Sequence, residues 1–489
     1  MRPIPKVVSE IAEKLKAKKF EAYLVGGCVR DLLLGRLPKD WDVATNATPE
    51  KIQEIFPDSV YENEFGTVGV KTQSDDPILK VVEVTTYRKE GKYTDKRHPD
   101  EIKFSKTIED DLSRRDFTIN AIAFNLRMSH ILNINDPFNG REDLKNKVIR
   151  TVGDADERFN EDALRLMRAV RLAAELDFGI EKKTAEAIRK NAHLLEMIAK
   201  ERIRDELVKL IMAPQNGAAD GIRMMENSGL LKYVIPELLE GLGVGQNKHH
   251  IYEVFEHNVR ALDYAAGKNY SLEVRLASLL HDVGKPKTKK GEGVDCTFYA
   301  HDVVGGKMSL KILDRLHFSK KIVEKVAHLV LCHLFYYNVG EVSEAGVRRF
   351  LRKVGPEHVD DLIKVREADR IGSGVPKAVP YKLRHLLFMI EKVKQDPIDT
   401  RMLKLDGNDV MRLGDLQPGP KVGQILAILL EEVLDDPKVN EEAKLRERIK
   451  LLNELSDIEL KKMAESAKRK KEEFEGGQEE EIKKKFFVK

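Results

Sequence analysis

The pattern of apolar residues changes near residue 150, and this change constrains the fold more than any other feature of the sequence. Before that point, short β-rich segments such as 67–71 and 80–86 are mixed with short helical ones. Beyond it, helix-periodic segments follow one another, among them 161–176 and 183–199. Segments of the first kind pair into a sheet, whereas amphipathic helices bury one face against other helices. The sequence therefore predicts an α+β fold, with a small mixed-sheet head on an elongated, all-helical body.

Stretches that contain proline and glycine divide the helical part of the chain. They lie near residues 213–217, 241–245, 372–380 and 417–420, where these residue types interrupt helices. The end of the chain is nearly all lysine and glutamate, which is typical of a solvated, flexible segment. We predict five parts: a head over 1–150, a helical neck over 151–235, two further helical domains over 236–380 and 381–465, and a charged tail over 466–489.

The composition excludes several classes of protein. The longest apolar runs fall far short of the roughly 20 residues that a helix needs to cross a bilayer, so we expect no membrane span. The cysteines Cys28, Cys296 and Cys332 are too scattered for a disulfide scaffold or a zinc finger. The first residues do not resemble a secretion signal, and a cytoplasmic location is expected. With 85 basic and 82 acidic side chains, the net charge of +3 does not argue for nucleic acid.

Two aspartates flank the single tryptophan in the sequence Asp40-Trp41-Asp42. On a strand, residues i and i+2 point to one face, so both carboxylates can converge on one hard cation. Mg²⁺ prefers oxygen ligands and keeps open positions for phosphate oxygens. Glu83, central in a second β-rich segment, is placed to supply a third carboxylate across the sheet. The alternative interpretation of the aspartate pair is a solvated turn.

A glycine pair lies upstream of the aspartates. Gly26-Gly27 follows a predicted strand and precedes an apolar helix over 29–34. Glycine lets a backbone come close to phosphate groups, and the nearby Arg30 can neutralise a triphosphate. A glycine pair before a helix is also compatible with an ordinary turn.

The order and spacing of these elements, in segments 24–31 and 39–45, resemble the active-site signature of the class II nucleotidyltransferases. This family comprises bacterial CCA-adding tRNA nucleotidyltransferases and their poly(A) polymerase relatives. Segment 114–121 resembles the family's ribose-binding motif, which implies that Arg115, Asp116 and Asn120 bind nucleotide. Segment 150–159 resembles the flexible element between head and neck, and segment 201–206 resembles the element that stabilises the neck.

Segment 161–168 resembles the base-selecting motif of the same family. On a helix, Asp162 and Arg165 stand at i and i+3 and lie side by side. Their acceptors and donors match the edges of cytosine and adenine, whereas uracil and guanine present an acceptor where Asp162 needs a donor. The motif implies nucleotide-binding roles for Arg168 and Arg171 as well. The alternative is an intrahelical salt bridge with surface arginines.

The resemblance implies in-line attack of an RNA 3′-hydroxyl on the α-phosphorus of CTP or ATP, with release of pyrophosphate. Two Mg²⁺ ions would be held by Asp40, Asp42 and Glu83. The tRNA 3′ end, CTP and ATP are the implied partners. A basic loop over 87–100 resembles the loop of the members that add the final A. It contains Arg88, Lys89, Lys92, Lys96, Arg97 and His98. We therefore expect addition of CCA or of A.

A second chemical signature lies further along the chain. His281-Asp282, after an apolar run and before Gly284-Lys285, resembles the signature of the HD phosphohydrolases. The resemblance implies a metal site made of His257, His281, Asp282 and Asp369, with His301 and His333 on phosphate or a second metal. Mixed histidine and carboxylate ligands suit Mn²⁺, Ni²⁺ or Co²⁺ as well as Mg²⁺. The domain either hydrolyses 2′,3′-cyclic phosphates or 2′-nucleotides, or serves only as a scaffold.

The C-terminal part predicts a helix, a turn and a second helix over 404–430. Gly419 and Gly423 would offer backbone N–H groups, and Lys421 a cation, to an RNA phosphate at a helix N-terminus. The segment resembles the family's tRNA-gripping tail, although an ordinary helical hairpin fits equally well.

Several functions remain open at this point. CCA addition to tRNA leads, and the alternatives within the family are an A-adding enzyme and a poly(A) polymerase. An HD hydrolase with a nucleotide-binding head and a non-enzymatic RNA-binding protein are alternatives of other classes.

Overall fold

The computed structural model describes residues 3–61, 66–90, 102–125, 133–246, 251–335, 337–342, 344–394, 403–435 and 439–466. It divides into two units: Met1–Leu334 with Asp361–Pro376, and Phe335–Asp360 with Lys377–Lys489. Of the basic loop predicted over 87–100, Arg88–Glu90 form a short strand, and residues 91–100 lie outside the described residues, as does the charged tail beyond residue 466. Among the helices within these ranges, none is both long enough and apolar enough to cross a bilayer.

The strands are concentrated in the first 150 residues, as the sequence predicts. They are β1 (Tyr23–Val25), β2 (Asp42–Thr45), β3 (Ser59–Tyr61), β4 (Thr67–Lys71), β5 (Val81–Thr86), β6 (Arg88–Glu90), β7 (Ile102–Phe104), β8 (Ala123–Asn125), β9 (Asn133–Asn135), β10 (Val148–Ile149) and β11 (Gly179–Ile180). Seven of them form one sheet in the order β3-β4-β5-β2-β1-β8-β9. β2 and β5 pair in parallel, and the other pairs of this sheet are antiparallel. The head is therefore the mixed sheet that was expected.

The parallel pair determines which face of the sheet carries the acidic residues. Asp42 lies opposite Glu83, and Val43 lies opposite Val84. Both valines are fully buried, and successive residues of a strand point to opposite faces. The two valines therefore lie on the face of the sheet that packs against the core, and the two carboxylates lie on the opposite face.

Five helices flank this sheet: α1 (Lys6–Ala17), α2 (Gly27–Leu33), α3 (Pro49–Ile55), α4 (Ile108–Ser113) and α5 (Gly140–Lys145). Proline is favoured at the first position of a helix, where its missing N–H has no intrahelical partner. Pro49 occupies this first position in α3, and Thr48 is the N-cap.

The region predicted as the neck, 151–235, contains α6 (Ala155–Glu161), α7 (Leu164–Leu176), α8 (Lys182–Asn191), α9 (Lys200–Ile211), α10 (Gly217–Asn227) and α11 (Leu231–Val234), and α12 (Pro236–Leu239) follows it. The prediction of one continuous helix over 161–176 is wrong. Asp162 has an extended backbone (φ −133°, ψ 104°) between α6 and α7, and its carboxylate accepts the Leu164 N–H at 3.0 Å. Aspartate competes in this way with the helical ladder, because its short side chain satisfies the free N–H groups at a helix start.

The remaining helices are α13 (Val254–Gly267), α14 (Leu272–Leu280), α15 (Lys285–Thr288), α16 (His301–Arg315), α17 (Lys320–Cys332), α18 (Glu344–Val354), α19 (Val359–Gly372), α20 (Tyr381–Lys394), α21 (Gly407–Gly414), α22 (Pro420–Asp435) and α23 (Glu442–Asn453). Short 3₁₀ turns cover Thr118–Asn120, Ala192–Met197, Gly293–Asp295 and Pro356–His358.

The second unit has its own apolar core. The predicted helix, turn and helix over 404–430 correspond to α21 and α22, and a third helix, α23, packs with them. An Asp406 capping box starts α21, since its carboxylate accepts the Asn408 and Asp409 N–H groups. Buried leucines, isoleucines and valines from the three helices form one cluster, which includes Val410, Ile425, Leu429, Leu445 and Ile449.

Candidate active site

The turn at Gly26 brings acidic and basic side chains close to the backbone. Gly26 has φ +77°, and a Cβ built on it would lie 2.8 Å from Arg115 Nη1 and 3.3 Å from Asp42 Oδ2. Any larger residue is therefore disfavoured both by its backbone conformation and by the space available. A Cβ on Gly27 would lie 3.7 Å from Asp40 Oδ1. The glycine pair thus forms a surface that both aspartates face.

Asp40 and Asp42 reach this turn by a route that differs from the prediction. The expectation that both lie on one strand is wrong: β2 begins at Asp42, and Asp40 lies in the bend before it. The ladders of β1 and β5 do not extend to residues before Asp42, so nothing in the described sheet holds Asp40 in an extended conformation. Trp41 between them is buried at 3% exposure and anchors the segment to the core.

Asp42 is in an environment that disfavours its negative charge. Burial, with the nearby carboxylates of Asp40 and Glu83, raises its pKa to about 7, and Arg115 opposes this rise. Three carboxylates held together in this way repel one another. The arrangement is one that a divalent cation with oxygen ligands would relieve.

A cleft of about 520 Å³ opens at this point. Ten of the predicted site residues line it: Gly26, Gly27, Arg30, Asp40, Asp42, Arg115, Asp116, Asn120, Arg168 and Arg171. Glu83, Asp162 and Arg165 are not among the lining residues. The lining also includes residues that the sequence analysis did not select: Asp31, Lys39, Glu175, Val208, Lys209, Met212, Ala213 and Pro214.

Asn120 links the basic side chains of the head. Its side-chain oxygen accepts a hydrogen bond from Arg30 Nη1 at 2.9 Å, and its amide donates to Asp116 Oδ1 at 3.1 Å. Arg115 donates to Asp111 Oδ2 at 3.1 Å. Because each of these groups has a fixed partner, the guanidinium groups stay oriented at the cleft.

An ion pair between Asp116 and Arg168 joins the head to α7, a helix that contributes residues to the cleft wall. Arg168 Nη2 and Nε lie 2.6 and 2.8 Å from Asp116 Oδ2. Burial favours the neutral form of Asp116, but Arg168, Asn120 and Arg165 outweigh it and hold the pKa of Asp116 well below its usual value. The fork of the guanidinium fixes the orientation of α7 relative to the head.

Glu206 on α9 supports the arginines of α7 from behind. It is buried at 3% exposure and accepts from Arg171 Nε at 3.0 Å, with Arg168 Nη1 at 3.8 Å. Burial raises its pKa, but Arg171, Arg168 and Lys209 together lower the pKa below its ordinary value. A buried carboxylate shared by two arginines holds both at the cleft.

The same network extends back to the head through Glu175. Arg171 Nη1 and Lys39 Nζ each lie 2.7 Å from a carboxylate oxygen of Glu175. Two signals in the sequence could have identified these residues: Glu175 is four residues after Arg171 on the same helix, and Lys39 precedes Asp40 directly.

Asp162 and Arg165 do not lie side by side, and that prediction is wrong. Asp162 precedes α7 and pairs with Arg202 of α9 at 2.8 Å. Arg165, in the first turn of α7, pairs with Glu161 at 2.5 Å and donates to the Arg114 carbonyl. The i, i+3 argument fails because the chain is not helical at position 162.

A second cluster of ligand-type side chains lies at the ends and on the faces of helices α13, α14 and α19. His257 Nε2 lies 2.8 Å from His281 Nε2, 3.0 Å from Asp282 Oδ2 and 3.3 Å from Asp369 Oδ1. His257, His281 and Asp282 are fully buried, and Asp369 is 7% exposed. The structure therefore brings together the four residues that the HD signature implies, each from the expected part of the chain.

Two further histidines approach the same aspartate from its other oxygen. His301 Nε2 and His333 Nε2 lie 3.4 and 3.6 Å from Asp282 Oδ1. The Nδ1 atoms of His281, His301 and His333 each face a backbone carbonyl three residues earlier, which leaves Nε2 directed inward. The ligand atoms form two groups that share Asp282: His257 with His281, and His301 with His333.

The predicted RNA-binding residues of the tail lie at the start of α22. Gly419 immediately precedes the helix, and a Cβ on Gly423 would meet open space. Lys421 Nζ donates to the Asn453 carbonyl at 3.2 Å, so its ammonium group is directed toward α23. Their role in RNA binding stays a prediction.

A mixed sheet with an acidic site beside a glycine turn, followed by helices that supply arginines to the same cleft, defines a nucleotidyltransferase head. Comparison with known proteins agrees. Residues 22–150 match the poly A polymerase head domain, residues 177–242 the probable RNA and SrmB-binding site of polymerase A, and residues 254–372 the HD domain.

The chain is similar over nearly its whole length to curated enzymes of one family. It is 34% identical to the CCA-adding enzyme of Lactococcus lactis subsp. lactis (strain IL1403) over 443 residues, which cover 90% of this chain and 96% of that protein. It is 33% identical to the CCA-adding enzyme of Ligilactobacillus salivarius (strain UCC118), over 91% of this chain and 96% of that one. A crystal structure of the Bacillus stearothermophilus CCA-adding enzyme in complex with CTP matches 92% of this chain and 97% of its own, with a TM-score of 0.63 and 30% identity.

The chain therefore belongs to the CCA-adding enzymes, a family of nucleotidyltransferases. The resemblance and the fold class expected from the sequence are confirmed. The family implies use of a divalent metal ion.

Proposed function

We propose that this protein adds C, C and A to the 3′ end of tRNA, using CTP and ATP and releasing pyrophosphate. The observation that carries the proposal is the cleft in which Asp40 and Asp42 face the Gly26-Gly27 turn, in a chain of this family. The similar Bacillus stearothermophilus enzyme was solved with CTP, and this cleft has the charges that a nucleoside triphosphate requires.

Asp40 and Asp42 would hold Mg²⁺, with Glu83 as the third carboxylate. The donor set fits this ion, because all three side chains offer oxygen and the charge of Asp42 is destabilised by burial and by its two acidic neighbours. When bound, the ion would lower the pKa of the attacking hydroxyl and stabilise the leaving pyrophosphate. The side chains themselves fix where the 3′-hydroxyl of the RNA meets the α-phosphate.

The basic residues on the two sides of the cleft have different tasks in this proposal. Arg30 and Arg115 adjoin the glycine turn, where close approach of the backbone leaves room for phosphate oxygens. Asn120 and Asp116 would contact the ribose, since their polar atoms lie at the cleft wall between Arg30 and Arg168.

Selection of the base would take place on α7. Arg168 and Arg171 already line the cleft. Asp162 and Arg165 would reach the edge of cytosine or adenine only after exchanging their present partners, Arg202 and Glu161. Binding of the nucleotide would then be coupled to rearrangement at the start of α7.

The test is incubation of the purified protein with three RNA substrates: tRNA that ends at the discriminator base, tRNA ending in C, and tRNA ending in CC. Each is given CTP, ATP or both, and products are resolved at single-nucleotide length. Addition of C, C and one A supports the proposal. Addition only to tRNA ending in CC would identify an A-adding enzyme, and long A tails would identify a poly(A) polymerase; either result contradicts the proposal.

We also propose a phosphohydrolase activity in the HD domain. Its support is a buried centre in which the Nε2 atoms of His257 and His281 lie 3.0–3.6 Å from carboxylate oxygens of Asp282 and Asp369. Imidazole nitrogens with carboxylate oxygens fit Mn²⁺, Ni²⁺ or Co²⁺. When bound, such an ion would supply a hydroxide nucleophile near neutral pH.

In this second activity, Lys285 would orient a substrate phosphate. Its ammonium group is 5% exposed and lies 2.5 Å from Asp282 Oδ2. The test is release of 2′- or 3′-nucleotide from 2′,3′-cyclic AMP with each metal added to chelator-treated protein. If none of the metals supports hydrolysis, the proposed activity is wrong and the HD domain serves only as a scaffold.

A further inference from the structure

Arg275 is a fully buried arginine in α14 of the HD domain, with an exposure of 1%. All five of its N–H groups have acceptors. Nε donates to the Tyr270 carbonyl at 3.0 Å, Nη1 to the carbonyls of Ile211 and Ala213 at 3.0 and 3.1 Å, and Nη2 to the Ala266 carbonyl and Asn269 Oδ1 at 3.4 and 3.2 Å. Within the part of the chain that the structure describes, no carboxylate pairs with this guanidinium.

Two helix ends supply the negative charge that a carboxylate would otherwise provide. α9 ends at Ile211, and α13 ends at Gly267 next to Ala266. The last carbonyl groups of a helix lack intrahelical partners and carry the negative end of the helix dipole. The guanidinium lies where these two ends meet, and only a side chain with five donors in a plane satisfies all the acceptors.

Two of the carbonyls that Arg275 binds, those of Ile211 and Ala213, lie in or next to a wall of the nucleotide cleft. Ile211 and Ala213 flank Met212, and the lining includes Val208, Lys209 and Met212–Pro214. Earlier on the same helix, Glu206 holds Arg168 and Arg171 at the cleft. Arg275 thus fixes the end of the helix that shapes one side of the site, although among the described residues none of its hydrogen bonds goes to the head.

We propose that Arg275 is a positioning residue for nucleotide binding, through which the HD domain sets the affinity of the cleft for CTP and ATP. This inference rests on the nucleotide addition proposed above and deepens it. A purely structural role for Arg275 makes a different prediction. Its substitution would then lower the fraction of folded protein, and the molecules that remain folded would keep the KM of the wild type.

The test compares Arg275→Met and Arg275→Lys with a matched control, Arg223→Met. Arg223 of α10 also joins the neck to the HD domain, through Glu256 of α13 at 2.8 Å, but it does not line the cleft. Steady-state addition to tRNA is measured with CTP, and to tRNA ending in CC with ATP. Thermal melting gives the folded fraction of each variant at the assay temperature.

We expect Arg275→Met to raise KM for both nucleotides about tenfold, with kcat per folded molecule changed less than about twofold. Arg275→Lys should lie between it and the wild type, since it restores the charge but not the five donors. Arg223→Met should leave KM unchanged.

Two results would overturn the inference while the wild type still adds CCA and the proposed function stands. One is an unchanged KM in Arg275→Met, and the other is a rise of KM in Arg223→Met equal to that in Arg275→Met. Failure of the wild type to add nucleotides would instead remove the proposed function on which the inference depends.

Discussion

The first unit of the molecule contains two acidic centres that differ in almost every physical respect. The head centre of Asp40, Asp42 and Glu83 is built from strand and bend residues at an open cleft, and all its donors are oxygens. The HD centre, with His257 and its neighbours, is built from residues on helices and in the turn after α14, is buried and mixes nitrogen with oxygen.

This difference teaches how the surroundings of a carboxylate decide what it can bind. At the head, burial and then repulsion between carboxylates raise the pKa of Asp42, and an exchangeable hard cation that arrives with the triphosphate is the fitting partner. In the HD centre, burial opposes the charge of Asp282, yet Lys285 and the histidines hold its pKa well below the ordinary value. A site of the second kind is preformed and suits an ion that stays bound.

The largest effect is expected from Asp42→Asn. Nucleotide addition should fall more than about 1000-fold, because the change removes a metal-binding oxygen and its charge. Hydrolysis by the HD centre should not change. In chelator, this variant should also be more stable by about 1–2 kcal/mol, since the repulsion at position 42 is relieved.

Measurement of addition to tRNA and of melting temperature checks both parts. Asp75→Asn is the matched control, because Asp75 is exposed on the loop between β4 and β5. If Asp42→Asn still adds nucleotides at the wild-type rate, addition does not depend on this carboxylate, and the head centre is not the metal site that the comparison assumes.

The reciprocal variant is Asp282→Asn. It should lower hydrolysis of 2′,3′-cyclic AMP about 100-fold or more, because Asp282 is shared by both groups of histidines. Addition of nucleotides should stay within about twofold of the wild type. His317→Asn, at an exposed histidine of the same domain, serves as the control. A large loss of addition in Asp282→Asn would show that the two centres are not independent.

A smaller effect is expected from Asp116→Asn, which breaks the buried pair between head and neck. At pH 7 we expect a loss of about 2–3 kcal/mol in the free energy of unfolding and about tenfold in kcat/KM. The pKa of Asp116 is lowered by folding, so its stabilisation is complete well above 3.8, the ordinary pKa of an aspartate, and is lost as pH falls through the folded pKa.

The difference in stability between wild type and Asp116→Asn should therefore shrink as the pH is lowered below about 4. Urea unfolding followed by fluorescence measures it in the head, because Trp41 is the single tryptophan and is buried there. Asp177→Asn, at an exposed side chain, should show no such difference. If the difference in the free energy of unfolding between wild type and Asp116→Asn stayed constant from pH 7 to pH 3, the effect could not be assigned to the Asp116 carboxylate.

The smallest effect is expected from Lys421→Ala. If this lysine binds an RNA phosphate, KM for tRNA should rise about threefold and the salt dependence of binding should weaken by about one phosphate contact. KM for CTP and hydrolysis of 2′,3′-cyclic AMP should not change. This result would show that Lys421 acts in RNA binding and not in the chemistry of the head centre or the HD centre. Lys450→Ala, at an exposed lysine of α23, is the control; equal effects of the two variants would argue against a specific contact.

Much of the architecture could be predicted because it depends on local patterns. The alternation in β5, the proline at the start of α3 and the helix-periodic segments beyond residue 150 each follow from spacing along the chain. The convergence of ten predicted residues on one cleft followed from motif order and spacing, that is, from resemblance to a family. Their individual roles stay predictions.

The failures share a physical cause, since each depends on contacts between distant residues. Asp162 leaves the helix because it caps α7 and pairs with Arg202, forty residues later. Asp40 lies in a bend because no described strand pairs with it. Lys39 and Glu175 each lie close in sequence to a predicted site residue, but the contact between them joins residues 136 positions apart, and no local pattern reveals that pairing.

The return of the chain to the first unit at Asp361–Pro376 has a consequence for how this protein can be shortened. Asp369 joins His257 and His281 only after the chain has contributed Phe335–Asp360 to the other unit. A stop codon or a proteolytic cut near residue 335 would therefore remove a ligand of the histidine cluster together with the tail. A shortened gene that keeps the HD centre must therefore extend past Asp369, and its product carries Phe335–Asp360 of the second unit even when the rest of that unit is lost.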